Sequence, residues 1–127
     1  LPLLFGAPNE QQSLRELSSK LDHDSIVAAS GADFSEIKYV MSQASFVLCM
    51  DSGARHIAAA VGVPQLSIFG PTDLRWTAHA TEKLSVITND KLDCLGCHYK
   101  SCPLPNHPCM TELDPQIIID ESSRLNF

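Results

Sequence analysis

Phe46-Val47-Leu48-Cys49-Met50-Asp51-Ser52-Gly53-Ala54-Arg55-His56, running on through Ile57 to Pro64 and then Gln65-Leu66-Ser67-Ile68-Phe69-Gly70-Pro71-Thr72-Asp73, decides the fold. Phe46 to Met50 is a short apolar run with a β-branched and an aromatic member, which predicts a strand buried on both faces. Asp51 and Ser52 are N-cap residues and Gly53 permits a sharp reversal. The Ala-rich, Pro-free segment from Ala54 to Val61 therefore predicts a helix that stops at Gly62. Val63-Pro64 turns the chain into a second apolar run, Gln65 to Phe69, which ends in Gly70-Pro71-Thr72-Asp73. The result is a strand-turn-helix-strand unit in which both turns follow the carboxyl ends of strands. Open parallel sheets bind their ligands there.

Outward from that unit the same alternation continues. Leu3 to Phe5 reads as a strand end, and Asn9 as the cap of a helix running to Leu21 with Leu14, Leu17 and Leu21 on one face. Ser25 to Ala29 follows as a strand. Asp33 with Glu36 is a capping signal for a helix whose apolar face is Phe34, Ile37, Met41 and Ala44. Downstream, Leu84 to Thr88 reads as a further strand, and Asp114-Pro115 opens a last helix containing Ile117, Ile118 and Ile119. A βαβαβ rhythm calls for an α/β fold, a Rossmann-like parallel sheet with helices on both faces. No internal repeat or low-complexity tract interrupts it.

The turn at residues 51 to 53 has the chemistry of an anion site. A helix start offers unpaired backbone N–H groups and about half a positive charge, and a glycine lets a phosphate come close to the backbone. A pyrophosphate fits. The Asp51 carboxylate would repel it if aimed outward, so it reads as a cap turned onto the loop or helix amides, or onto a ligand hydroxyl. Arg55 and His56 lie in the first helical turn, within reach of phosphate oxygens; on the plainer reading Arg55 is a solvated charge and His56 a half-buried helix residue. Glu10 is similarly two-sided: an acceptor for ribose hydroxyls, or a favourable charge near a helix start.

Composition narrows the classes. With 127 residues, 44% of them hydrophobic, the chain has material for one core. The formal charge of −6 and a pI of about 5.2 argue against a nucleic-acid groove or an anionic membrane as a general partner. No apolar run approaches the roughly 18 residues of a membrane span, and no secretory leader opens the chain, so a cytoplasmic protein is expected. Cys94, Cys97, Cys102 and Cys109, with His98 and His107 interleaved, are dense enough to wrap a tetrahedral zinc. A zinc-stabilised, non-catalytic interaction module is the alternative that follows. The competing reading is free thiols in a loop stiffened by Pro103, Pro105 and Pro108, with no metal. Cys49 reads as a small apolar filler. Trp76 and His79 either border a ligand pocket or pack, and His23, between Asp22 and Asp24, reads as solvent-exposed.

The run Asp51-Ser52-Gly53, His56, Ala58-Ala59, Gly62-Val63-Pro64 and Phe69-Gly70-Pro71-Thr72-Asp73 resembles the signature of glycosyltransferase family nine, the ADP-heptose:lipopolysaccharide heptosyltransferases. Phe5-Gly6-Ala7-Pro8-Asn9-Glu10 is similar to that family's turn where a Glu contacts the nucleotide ribose. The Cys-rich segment ending Cys109-Met110-Thr111, followed by Leu113-Asp114-Pro115, resembles heptosyltransferase II-type members. Ala54-Arg55 stands where Pro and an apolar residue are frequent, and Leu74 where Pro is usual. The resemblance implies a donor site at Asp51, Ser52, Gly53, Ala54, Arg55 and His56, ribose contact at Glu10, and a sugar-side loop at Gly70, Pro71, Thr72 and Asp73. It implies ADP-L-glycero-D-manno-heptose as donor, a lipopolysaccharide inner-core heptose or Kdo-linked lipid A as acceptor, no required cofactor, and inversion at the anomeric carbon. Another nucleotide sugar is the alternative within enzymes.

By the same resemblance the chain corresponds to most of the C-terminal, donor-binding half of a two-domain GT-B transferase. The first strand of its sheet is expected upstream of Leu1, between the Leu3 and Phe46 strands. The acceptor site, the general base and any peripheral contact with the inner face of the inner membrane are expected in a separate N-terminal domain. Made alone, such a piece should transfer no heptose.

Overall fold

The computed structural model describes residues 1–28, 32–77 and 83–125, and the chain divides into two compact units, Leu1–Ile37 and Lys38–Phe127. In the first, β1 (Leu3–Phe5) pairs in parallel with β2 (Ile26–Ala28), Leu3 opposite Ile26 and Phe5 opposite Ala28. The connection is a 3₁₀ turn at Pro8–Glu10 and α1 (Gln11–Ser19). Asn9 is thus inside the 3₁₀ turn rather than a helix cap, because Pro8 pre-sets the turn one residue earlier. The helix ends at Ser19, with the Lys20 amide bonded to the Leu17 carbonyl and the Leu21 amide to the Ser18 carbonyl.

The division between units falls within α2 (Phe34–Ser42). Its start matches the sequence expectation in detail. Asp33 Oδ1 accepts the Ser35 and Glu36 amides at 2.7 and 2.9 Å, and Glu36 Oε2 accepts the Asp33 amide at 2.9 Å. That reciprocal pair satisfies donors a helix start otherwise leaves open.

In the second unit β3 (Val47–Met50), β4 (Gln65–Ile68) and β5 (Leu84–Ile87) form a parallel sheet in the order β3-β4-β5. Leu48 faces Leu66, and Leu66 faces Ser85. Between β3 and β4 lies α3 (Gly53–Ala60), which ends where Gly62 takes φ +73°, a left-handed conformation that favours glycine. The core gathers around central β4: Ala58, Val63, Leu66, Phe69 and Ile87 are buried. Short helices α4 (Leu74–Thr77) and α5 (Pro108–Thr111) precede α6 (Pro115–Arg124), capped by Asp114 Oδ1 on the Gln116 amide at 2.9 Å.

One expectation is corrected. β3 is not buried on both faces: Leu48 is 50% and Met50 43% exposed. Alternate side chains of a strand point to opposite faces, and in β3 only the Val47 and Cys49 side is covered. Among the described residues β3 has one strand neighbour, β4, and β1 has one, β2. No helix among the described residues is long and apolar enough to cross a membrane.

Candidate functional site

The turn after β3 is an open helix start. Ser52, at φ −149° and ψ 178°, makes no side-chain cap, so no hydroxyl occupies the first amides of α3. Nothing lies within 4 Å of where a Gly53 Cβ would project. Ser52 and Gly53 are exposed and Ala54 half-buried. Unpaired amides, the helix dipole and an unobstructed approach thus coincide at residues 52 to 54.

Behind that opening lies a charge that sequence reasoning placed differently. Arg55 is 0% exposed. Its Nε donates to Asp51 Oδ1 at 3.0 Å, its Nη2 donates to the Thr77 carbonyl at 2.8 Å and lies 3.3 Å from His56 Nε2, and its carbon centre sits 5.6 Å from the Phe69 ring centroid. Nη1 is buried with no partner among the described residues. The solvated reading of Arg55 is corrected, since the side chain is buried, and Asp51 Oδ1 meets Arg55 rather than a helix amide. A guanidinium removed from water needs a carboxylate more than a helix start needs a cap. Because arginine only donates, His56 Nε2 acts as acceptor in this contact, and His56 itself is exposed rather than half-buried. The signal that could have found the clamp was the i,i+4 spacing of Asp51 and Arg55.

The second turn, Gly70 to Asp73, is built against the Cys-rich segment. Gly96 donates its amide to the Gly70 carbonyl at 3.2 Å and His98 to the Pro71 carbonyl at 2.7 Å. Gly96 has φ +67°, and a Cβ there would meet Asp73 Cβ at 3.0 Å; a Cβ on Gly70 would meet Met110 Sδ at 2.6 Å. The Asp73 amide donates to His98 Nε2 at 3.2 Å. Arg75, bonded to both Asp73 oxygens, holds that carboxyl down from 3.8 to about 2. The packing reading of Trp76 is corrected: the indole is 72% exposed. His23 is exposed, as expected. His79 lies outside the described residues.

Glu10 belongs to the first unit, where its Oε2 accepts the Ala7 amide at 2.7 Å. A Cβ on Gly6 would lie 2.9 Å from that oxygen, so the glycine leaves room for the folded-back carboxylate.

All five cysteines are free thiols, and among the described residues no three His, Cys, Asp or Glu side chains are arranged to hold a metal ion. Asn89 Nδ2 instead ties the segment down through the Pro108 carbonyl at 3.2 Å. Burial, followed by the neighbouring Cys102, Cys94 and Cys97 thiols, pushes the Cys109 thiol up; burial also raises Cys49, against the opposing Ser67 hydrogen bond.

Parallel strands joined through helices, with an uncapped helix start at a strand's carboxyl end, define a Rossmann-like α/β fold. The chain belongs to glycosyltransferase family 9 (heptosyltransferase), whose model matches residues 2–107. It is 30% identical over 128 residues to lipooligosaccharide heptosyltransferase 2 of Campylobacter jejuni serotype O:6, covering 98% of this chain and 40% of that protein. It is 30% identical over 73 residues to lipopolysaccharide heptosyltransferase 1 of Salmonella typhimurium, covering 58% of this chain and 22% of the relative. Among solved structures, E. coli ADP-heptose lipopolysaccharide heptosyltransferase II superposes with a TM-score of 0.76 at 20% identity, over 97% of this chain and 35% of that one. The chain therefore spans well under half the length of these relatives.

Proposed function

We propose that the chain is the donor-binding part of an inverting glycosyltransferase that moves heptose from ADP-heptose to the lipopolysaccharide inner core, acting on the cytoplasmic side. The observation that carries this reading is the open start of α3, where Gly53 has free space around it and no side chain caps the amides. Family membership supports the reaction class, and the relatives named above are heptosyltransferases.

On this reading the diphosphate of the donor lies on the amides of Ser52, Gly53 and Ala54. An acceptor hydroxyl attacks the anomeric carbon, the bond from that carbon to the diphosphate oxygen breaks, and ADP leaves with the electron pair. The hydroxyl proton goes to a base supplied outside this chain. Negative charge grows on the leaving oxygens, and amides already fixed by the helix stabilise it without reorganising. Asp51, with Oδ1 held by Arg55, has its remaining lone pairs for a ligand hydroxyl. Gly70, Pro71, Thr72 and Asp73 form the loop beside the sugar.

Calorimetric titration with ADP and a crystal structure of the ADP complex test this. The diphosphate should lie within hydrogen-bond distance of the residue 52 to 54 amides. A diphosphate bound elsewhere, or no ADP binding at all, overturns the assignment.

A further inference from the structure

We propose that Trp76, braced by His98, is a stacking platform for a pyranose ring beside the α3 helix start. The proposal rests on the donor-site reading above and adds a residue which that reading does not use.

The chain contains one tryptophan, and its indole is left 72% exposed. An aromatic ring of that size normally buries most of its surface. The exposure here is one-sided. The His98 ring lies against one face, centroids 4.3 Å apart and planes 22° from parallel, so the opposite face is what the indole offers to solvent.

His98 is in turn immobilised. Its amide donates to the Pro71 carbonyl at 2.7 Å, its Nε2 accepts the Asp73 amide at 3.2 Å, and its backbone takes φ 54°, a left-handed conformation uncommon for a residue with a Cβ. Such conformations persist where the surroundings over-determine them. The stack therefore fixes the plane of Trp76 before any ligand arrives.

Its position follows from the next residue. The Thr77 carbonyl accepts Arg55 Nη2 at 2.8 Å, and Arg55 belongs to the first turn of α3. The end of α4 that carries Trp76 is thus tied to the helix whose start forms the anion site. A flat apolar face beside that helix start suits a ligand with a face of C–H bonds, which is a sugar ring. Two sources share this chemistry: the glycosyl group of the donor and a saccharide of the acceptor.

Because Trp76 is unique, intrinsic tryptophan emission of the chain reports this site alone. We would titrate separately with ADP, an ADP-linked pyranose and a lipid-free core oligosaccharide, following binding in parallel by calorimetry. A change of emission with the ADP-sugar but not with ADP assigns the platform to the donor; a change with the oligosaccharide assigns it to the acceptor. Trp76→Ala should weaken the responding ligand by about two- to tenfold, the range expected of an aromatic contact. ADP affinity should stay unchanged, and Trp76→Phe should recover most of the loss. An emission unmoved by both sugars while ADP binds overturns the platform and spares the donor reading. Absence of ADP binding overturns the donor reading, and the oligosaccharide arm alone then decides the platform.

Discussion

Arg55 Nε lies 3.0 Å from Asp51 Oδ1, one helical turn back along the chain, and no part of the arginine reaches solvent. The pair joins the end of β3 to the first turn of α3, and through Nη2 to the end of α4. Removing one partner of a buried pair leaves the other charge without compensation. Arg55→Ala should therefore lower stability by about 3 kcal/mol in urea titration. Arg55→Lys should recover only part of this, since an ammonium lacks the planar fork that meets Asp51 and Thr77 together. Stability equal to the parent in Arg55→Ala would show the pair to be incidental.

Gly53 separates folding from binding. A Cβ there meets nothing within 4 Å, so Gly53→Ala should fold as well as the parent or gain up to about 1 kcal/mol from reduced freedom of the unfolded chain. The same methyl group stands where a diphosphate would approach. We expect ADP to bind about tenfold more weakly, a difference of about 1.4 kcal/mol by calorimetry. Unchanged affinity with unchanged melting would place the diphosphate away from this glycine.

Gly70 and Gly96 should respond in the opposite manner. A methyl group on Gly70 would press on Met110 Sδ at 2.6 Å and on the buried Cys109 Sγ at 3.1 Å. On Gly96 it would meet Asp73 while also straining a φ of +67°. Overpacking of this sort costs about 1–3 kcal/mol. Each alanine variant should melt below the parent, and a variant melting with the parent would mean that the segment is packed less tightly than its geometry indicates.

Asp73 gives a pH test. Its folded-state pKa is depressed from 3.8 to about 2, chiefly by hydrogen bonds from Arg75. A depressed carboxyl favours the folded state above its ordinary pKa, and this contribution fades as pH falls through the window from 3.8 toward 2. In Arg75→Ala the Asp73 carboxyl should titrate nearer 3.8 by carbon-detected NMR, with little change of melting temperature at pH 7 because the Arg75 partner is solvent-exposed. An unmoved titration would assign the depression to some other neighbour.

The central unit was legible because its signals are local. An apolar run, a cap-and-glycine turn, an Ala-rich helix and Gly62 each act over a few residues, and together they specify β3, α3 and β4. The capping pair at Asp33 and Glu36 was legible for the same reason. The exposed side of β3 was not, because burial of a strand face depends on what lies beside it rather than on the strand. The inward turn of Arg55 depends on Phe69 and Thr77, residues distant in sequence. His98 drew notice only as a candidate metal ligand, while its observed role, between Asp73 and Trp76, requires a contact across 25 positions. The short helices α4 and α5 carry too few residues for a periodicity to show.

The bonds from Gly96 to Gly70 and from His98 to Pro71 have a consequence for synthesis. As the polypeptide leaves the ribosome, residues 46 to 69 can already associate, whereas the turn at Gly70 to Asp73 has no brace until the segment around His98 and Cys109 has also emerged. At about 5–20 residues per second this interval lasts a few seconds. For that time the nascent chain carries a formed helix start and a second turn that nothing yet braces.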